Sequence, residues 1–390
     1  MSLRHTIDYF TAETGIMPGL AVACGDRRHA AADMGGVINR QGTPLTEKSL
    51  FDLASLTKLF TGLLVIRLKE EGTLDLSRRV TDYAPEFTHL QGVTVDQVLG
   101  FEVSLATPER LDQQACASNA LRVLHQIVPG DNGDNRAYSD MHAMVLSRVL
   151  AGASGMTWEA LLQQKILHPL GMEETFTVAP ENRHKDLVQT GGEHRIISGR
   201  YILRPDAPPG VPHDPKAALM YPECFGHAGV FSTLPDMIRL CQGLLAGKVI
   251  SPEGLRFMSC NRTGRKTTSG AWTQFLGSQC YVKHPDQYFS EIPVYESSAA
   301  IGLSGFTGHH LSVDVETGVF ALMLGNRVLD RLTTVTLLPG QSLADLGLRP
   351  DGTGQVCWPD GSKVFSSVDY VHHKDAHFHR QVAQTLGLSP

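Results

Sequence analysis

The chain has no CxxC pair, no basic run, no internal repeat and no long apolar stretch, and each absence removes a class of protein. Its seven cysteines, Cys24, Cys116, Cys224, Cys241, Cys260, Cys280 and Cys357, are odd in number and scattered. They read as reduced thiols, not as a disulfide framework or a zinc site. A net charge of −6, with no aromatic-plus-basic stripe, argues against nucleic acid as a partner. The N-terminal MSLRHTIDYF carries no long apolar segment, so neither a signal peptide nor a membrane partner is read there, and a cytoplasmic location is expected.

What is present suits a large folded protein. At 390 residues, with 42% hydrophobic and 19% charged residues, the chain holds enough apolar side chains for one large domain or two. GLAVACGD (19–26) reads as a strand. TKLFTGLLVIRLKEEG, from Thr57, has helical spacing of its apolar residues and Gly72 at its end. Residues 139–151 predict a second helix that stops at Gly152. Trp158, Leu161, Leu162 and Ile166 mark a third, and a fourth follows Thr233 as N-cap, with Pro235 in its first turn. Residues 203–222 are rich in proline and glycine and read as a long surface loop. HLSVDVETGVFALMLG (310–325) predicts two strands around a turn at 316–318, and 351–365 a further hairpin. Strand signals near both ends and helices between them predict an α/β fold. Residues 1–85 and 290–390 are expected to form one antiparallel sheet flanked by helices, and 86–289 a mainly helical inserted domain, with the active site in the cleft between them.

Three short stretches carry candidate chemistry. In FDLASLTKLF (51–60), Ser55 and Lys58 stand three apart and share one face of a helix. A serine at a helix N-terminus sits where free N–H groups favour an oxyanion, and a neighbouring lysine can take its proton. Alone, the pattern reads better as a plain capped helix. In AYSD (137–140), Tyr138 precedes a helix and can present its phenol to a cleft. IGLSGFTG (301–308) has three glycines in eight residues, the mark of a close approach by another backbone or a ligand, or of a tight strand entry.

Together, in this order, the three stretches resemble the serine β-lactamase and penicillin-binding protein superfamily. They look most like its class C β-lactamase-related branch of esterases and D-Ala-D-Ala carboxypeptidase-like proteins. The resemblance extends through EEGTLDLSRRVTDYAPEF, the PLGM turn after AYSD, GHAGVFSTLPDMIRL (226–240) and GFTGHHLSVDVETGVFALMLGNRV, about residues 15–330 in all. It implies a β-lactamase/transpeptidase-like fold and two-step acyl transfer through acyl-Ser55. Lys58 and Tyr138 would share the acid and base work, and the N–H groups of Ser55 and Phe306 would form the oxyanion hole. A small-molecule substrate is implied, and no metal or cofactor. The lack of G-x-S-x-G gives no support to an α/β-hydrolase nucleophile elbow.

Two departures from that pattern shape the expected substrate. The triplet that is usually Lys-Thr-Gly or His-x-Gly is here Leu303-Ser304-Gly305, so its cation is missing. The second motif ends in Asp140 where Asn is usual, and a carboxylate near Lys58 would hold the ammonium form. A charge pair about 4 Å apart is worth about 4 kcal/mol at an effective dielectric of about 20, enough to choose a substrate class. Neutral esters or amides are therefore expected ahead of penicillins and D-Ala-D-Ala termini. His227, His309 and Arg327 are candidates to replace the missing cation, with His227 first. Residues 98–112 differ from the turn that borders the site in relatives. His373 and His377 have the spacing of metal ligands but read better as a surface or interface helix. A carboxypeptidase or β-lactamase, and a catalytically impaired sensor of the same fold, are the alternative readings.

Overall fold

The computed structural model describes residues 3–130, 137–286 and 291–388. Alternation in Gly19–Asp26 decides the central layer. Leu20, Val22 and Cys24 point to one face and Ala21 and Ala23 to the other, and all five are buried. A strand buried on both faces needs a layer on each side. Leu3 and Ile7 from the N-terminal helix, with Phe378 and Val382 from the C-terminal one, cover the first face. The other face packs on the Leu234–Leu245 helix, and the Thr57–Glu70 helix, buried almost all round, belongs to the same main core.

The central sheet runs Ala30–Gly36, Gly19–Asp26, Val319–Gly325, His309–Asp314, Ala300–Gly305, and each neighbouring pair is antiparallel. The fold is mixed α/β, an antiparallel sheet flanked by helices, as its sequence leads one to expect. The hairpin predicted around 316–318 is present, with Asp314 opposite Val319.

A second sheet is not predicted. It runs Arg349–Pro350, Gln355–Cys357, Lys363–Ser366, Arg331–Val335, Glu193–Ile197, Arg200–Arg204. Arg331–Val335 is parallel to both its neighbours, one from the middle of the chain and one from the C-terminal part. The hairpin predicted near 351–365 is part of it, and Ile196, Leu332, Leu348, Val356 and Val364 form its core. The 193–204 hairpin thus adds strands to a stretch read as mainly helical.

Two local readings change. The second helix, Asp140–Ser154, passes Gly152 and ends at Gly155, whose φ is +71°. Gly152 is there for packing, since a Cβ on it would lie 1.8 Å from the Tyr83 carbonyl oxygen. The 203–222 stretch is not a bare loop: it starts in the Arg200–Arg204 strand and closes in the Pro215–Met220 helix. Asp214 caps that helix by accepting the Lys216 and Ala217 N–H groups at 2.9 and 3.0 Å. His373 and His377 both lie against Tyr9. His373 Nδ1 is 2.7 Å from its hydroxyl, and the His377 ring stacks on it with centroids 3.6 Å apart. Among the described residues no helix is long and apolar enough to cross a membrane.

Candidate active site

Ser55 does not begin a regular helix. It sits in a 3-10 turn, Ala54–Leu56, that leads into Thr57–Glu70. Ala54 has φ +46°, a left-handed conformation that costs a residue with a Cβ about 1–2 kcal/mol. Asp52 holds it there. One carboxylate oxygen accepts the Ala54 N–H at 2.9 Å and the other accepts the His213 N–H at 2.6 Å. Burial pushes the Asp52 carboxyl up in spite of those donors. The Asp52 carbonyl accepts from Thr307 Oγ1 at 2.8 Å and His309 Nε2 at 2.6 Å, which joins the turn to the end of the 300–305 strand. Gly305 completes the junction: a Cβ there would meet the Leu53 carbonyl oxygen at 2.5 Å. Each glycine of 301–308 thus admits a neighbouring backbone: Gly305 that of the serine turn, Gly302 that of Glu291 and Gly308 that of Arg327.

Lys58, fully buried, donates to Ser55 Oγ at 2.9 Å and to the His227 carbonyl at 3.0 Å, and it pairs with Asp140 Oδ1 at 2.7 Å. Its ammonium lies 5.1 Å from the centroid of the Tyr138 ring. Those three oxygens and the Tyr138 side chain, a further hydrogen-bond partner, surround the ammonium group. Burial pushes the Lys58 pKa down, but the charge of Asp140 and the neighbouring Tyr138 outweigh it and hold it above the ordinary amine value. Asp140 is held well below the usual carboxylate range, since Lys58 and Lys216 overcome its own burial. The other oxygen of Asp140 takes Lys216 Nζ at 2.9 Å, and Lys216 also faces Asp214 at 3.5 Å. Asp214 in turn accepts from or pairs with His227 Nε2 at 3.1 Å. Two lysines thus alternate with two aspartates beneath the serine. Tyr138 is wedged between Phe101 and Tyr281, each with ring centroids 5.6 Å away, and its N–H donates to Gln274 Oε1 at 3.2 Å.

The sequence matches the Beta-lactamase family over residues 3–334. This chain belongs to the Beta-lactamase family. Among curated relatives, it is 28% identical to a Beta-lactamase of Yersinia enterocolitica over 46% of this chain and 47% of that protein, so the match spans about half of the relative. It is 24% identical, over 72% of this chain and 70% of the relative, to a Salmonella enteritidis protein provisionally named a D-alanyl-D-alanine carboxypeptidase. Among solved structures, EstCE1, a hydrolase with promiscuous acyltransferase activity, superposes with a TM-score of 0.65 at 20% identity. That match covers 83% of this chain and 92% of EstCE1. The architecture is the β-lactamase/transpeptidase fold.

Within that family framework the expected site residues divide into two groups. Ser55, Lys58, Tyr138 and Asp140 come together around one ammonium, and Gly305 abuts the serine turn. The others point elsewhere. Leu303 is fully buried in the main core, opposite Leu311. Ser304 turns its hydroxyl to Glu291 Oε2 at 2.5 Å. The Phe306 ring leaves the turn to lie near the guanidinium groups of Arg195, at 4.9 Å, and Arg327, at 4.7 Å. His227 offers Lys58 its carbonyl, while its buried ring faces Asp214. His309 is buried and pushed down to about 4, so it is neutral near pH 7, and Arg327 is buried between the rings of Phe306 and Tyr370. None of these three presents a cation to the serine. The second cation is Lys216, which the sequence reading passed over along with Asp52. Its segment carried one local signal, the Asp-Pro of VPHDPK, which marks a helix start but not its partner. No group of three or more potential metal-ligating side chains gathers among the described residues.

Proposed function

We propose that this protein is a serine acyl hydrolase acting on a small neutral ester or amide through acyl-Ser55. The observation that carries the reading is the contact of buried Lys58 with Ser55 Oγ at 2.9 Å, inside a turn kept in a left-handed conformation. In this mechanism Ser55 Oγ attacks the substrate carbonyl carbon. Its proton passes through Tyr138 to the departing alcohol or amine, and water then attacks the acyl-enzyme to release the acid and restore the serine. Lys58, held as an ammonium by Asp140, stabilises negative charge on Oγ as the proton leaves. The N–H groups of Ser55 and Phe306 receive the oxyanion; among the described residues neither donates to another acceptor. A neutral substrate suits the charge pattern. Leu303 supplies no cation, and Lys58 and Lys216 are matched by Asp140 and Asp214.

The test is intact-mass analysis after incubation with p-nitrophenyl acetate, a labelled penicillin and a fluorophosphonate, with Ser55→Ala as control. Acetyl and phosphonyl adducts that vanish in the control are expected. Absence of every adduct would refute the enzyme reading in favour of the sensor alternative. A stable penicillin adduct would move the substrate to the carboxypeptidase or β-lactamase class, the reading favoured by the Salmonella relative.

A further inference from the structure

A cavity of ≈ 780 Å³ does not include Ser55 in its lining but is linked to the serine site through Tyr138. One wall is Trp272, Phe275, Tyr281 and Val282; across from it lie Val368 and Val371. Three contacts join this cavity to the site. The Tyr281 ring stacks on Tyr138 at 5.6 Å. The Gln274 amide, also in the lining, accepts the Tyr138 N–H at 3.2 Å and donates to the Tyr281 hydroxyl at 3.3 Å. The Tyr281 backbone pairs with Gly302 through two hydrogen bonds of 2.8 and 3.0 Å, and lining residue Glu291 takes the Ser304 hydroxyl. The cavity therefore lies against both the second and the third motif.

Its chemistry is distinctive. Trp272, Phe275 and His284 meet edge to face, with centroid separations of 4.6–5.4 Å, an arrangement that receives a flat ring well. Among the described residues its lining has no lysine or arginine. Lys266 lies over the Trp272 ring instead, 4.9 Å from its centroid. The half-buried Glu291 carboxylate is already matched by Lys374 at 3.2 Å and His310 at 3.1 Å. A substrate carboxylate would find no lysine or arginine in this lining, whereas an uncharged ring would meet its aromatic walls. The Val368–His372 side comes from beyond residue 334, outside the span shared with the family. This wall is a feature of the chain's own C-terminal part.

We propose that this cavity is the specificity pocket of the enzyme and takes an uncharged aromatic group of the ester or amide. The proposal rests on the hydrolase reading above, and its test separates the two. Turnover of p-nitrophenyl phenylacetate is compared with that of p-nitrophenyl acetate for the acyl side, and 1-naphthyl acetate with p-nitrophenyl acetate for the alcohol side. The wild type prefers the larger aromatic ester on one side by tenfold or more in kcat/KM. Trp272→Ala, at a half-buried position, and Val371→Trp, which fills the cavity, each lower that preference at least tenfold, while Leu338→Ala on the exposed surface does not. Binding of 1-naphthyl acetate to Ser55→Ala, followed by equilibrium dialysis, weakens in parallel in the same two backgrounds. Equal preference in wild type and both variants, with ester turnover intact, would overturn the pocket. No turnover by the wild type, with variant-sensitive binding to Ser55→Ala retained, would overturn the hydrolase reading and leave the pocket standing.

Discussion

Replacing Asp140 by asparagine isolates what sets the charge of Lys58. The carboxylate oxygen lies 2.7 Å from Nζ, and asparagine keeps an acceptor of similar shape while removing the charge. For unit charges about 4 Å apart at an effective dielectric of about 20, the lost attraction is about 4 kcal/mol. That equals about 3 pH units in the Lys58 pKa. Burial, which disfavours the ammonium, then acts against weaker opposition, so the pKa falls. In the wild type the ammonium persists through neutral pH, and its ion pair with Asp140 is lost only as pH rises through the elevated Lys58 value. In Asp140→Asn that ionisation moves into the range where enzymes are easily assayed. The assay is the rate of fluorophosphonate labelling of Ser55 at pH 6 to 10. Because the ammonium stabilises the developing alkoxide, Asp140→Asn gains a limb that falls with rising pH, and the wild type lacks it over the same range. Lys216→Met works in the opposite sense, since it leaves Asp140 wholly to Lys58 and raises the Lys58 pKa further. Superimposable profiles for wild type and Asp140→Asn would refute the reasoning, and a rising limb would make Lys58 the base instead.

Three further outcomes are expected. Glu296 is buried, with one oxygen accepting from Ser312 Oγ at 2.7 Å, and burial holds its pKa well above the ordinary value. A carboxyl raised in this way stabilises the fold fully below its unfolded value of about 4.3 and loses that contribution as pH rises through the folded value. Melting temperatures of wild type and Glu296→Gln should therefore diverge in favour of the variant from pH 5 to pH 9; parallel curves would contradict the assignment. Ala54→Gly relieves the left-handed turn, so its denaturation midpoint rises by the equivalent of up to about 1 kcal/mol while Ser55 labelling slows. A variant that is both less stable and equally reactive would show that the turn is unstrained. Gly305→Ala forces a methyl group against the Leu53 carbonyl, costs about 1–3 kcal/mol in a denaturant titration, and slows labelling about tenfold or more. Unchanged labelling would mean that the junction of turn and strand is irrelevant to reactivity.

Local periodicity accounts for what the sequence made legible. Gly19–Asp26 and Val319–Gly325 announce themselves through continuous apolar runs, and the Thr57–Glu70 helix through its length and spacing. The second sheet escaped because its central strand, Arg331–Val335, is short and pairs with segments that no local signal connects to it. Gly152 was misread because a glycine for close packing and a glycine for capping look alike in sequence. Ser55, Lys58, Tyr138 and Asp140 were legible as motifs, and the hold of Asp140 on Lys58 as an expectation about charge. Ala54 was not, since nothing about an alanine signals φ +46°. Lys216 was not either, because its partner Asp140 lies 76 positions away, and only the folded chain brings the two within 2.9 Å.

The serine turn is also finished late. Leu53 donates to the carbonyl of Val230, and Thr307 and His309 close on the Asp52 carbonyl from 255 and 257 positions downstream. At about 5–20 residues per second, a ribosome takes on the order of 10–50 seconds to make that stretch. Throughout that interval the Asp52 carbonyl lacks both of the donors that tie the serine turn to the 300–305 strand. A chain that stops before residue 305 carries Ser55 and Lys58 but neither Thr307 nor His309 to fix the turn that holds them.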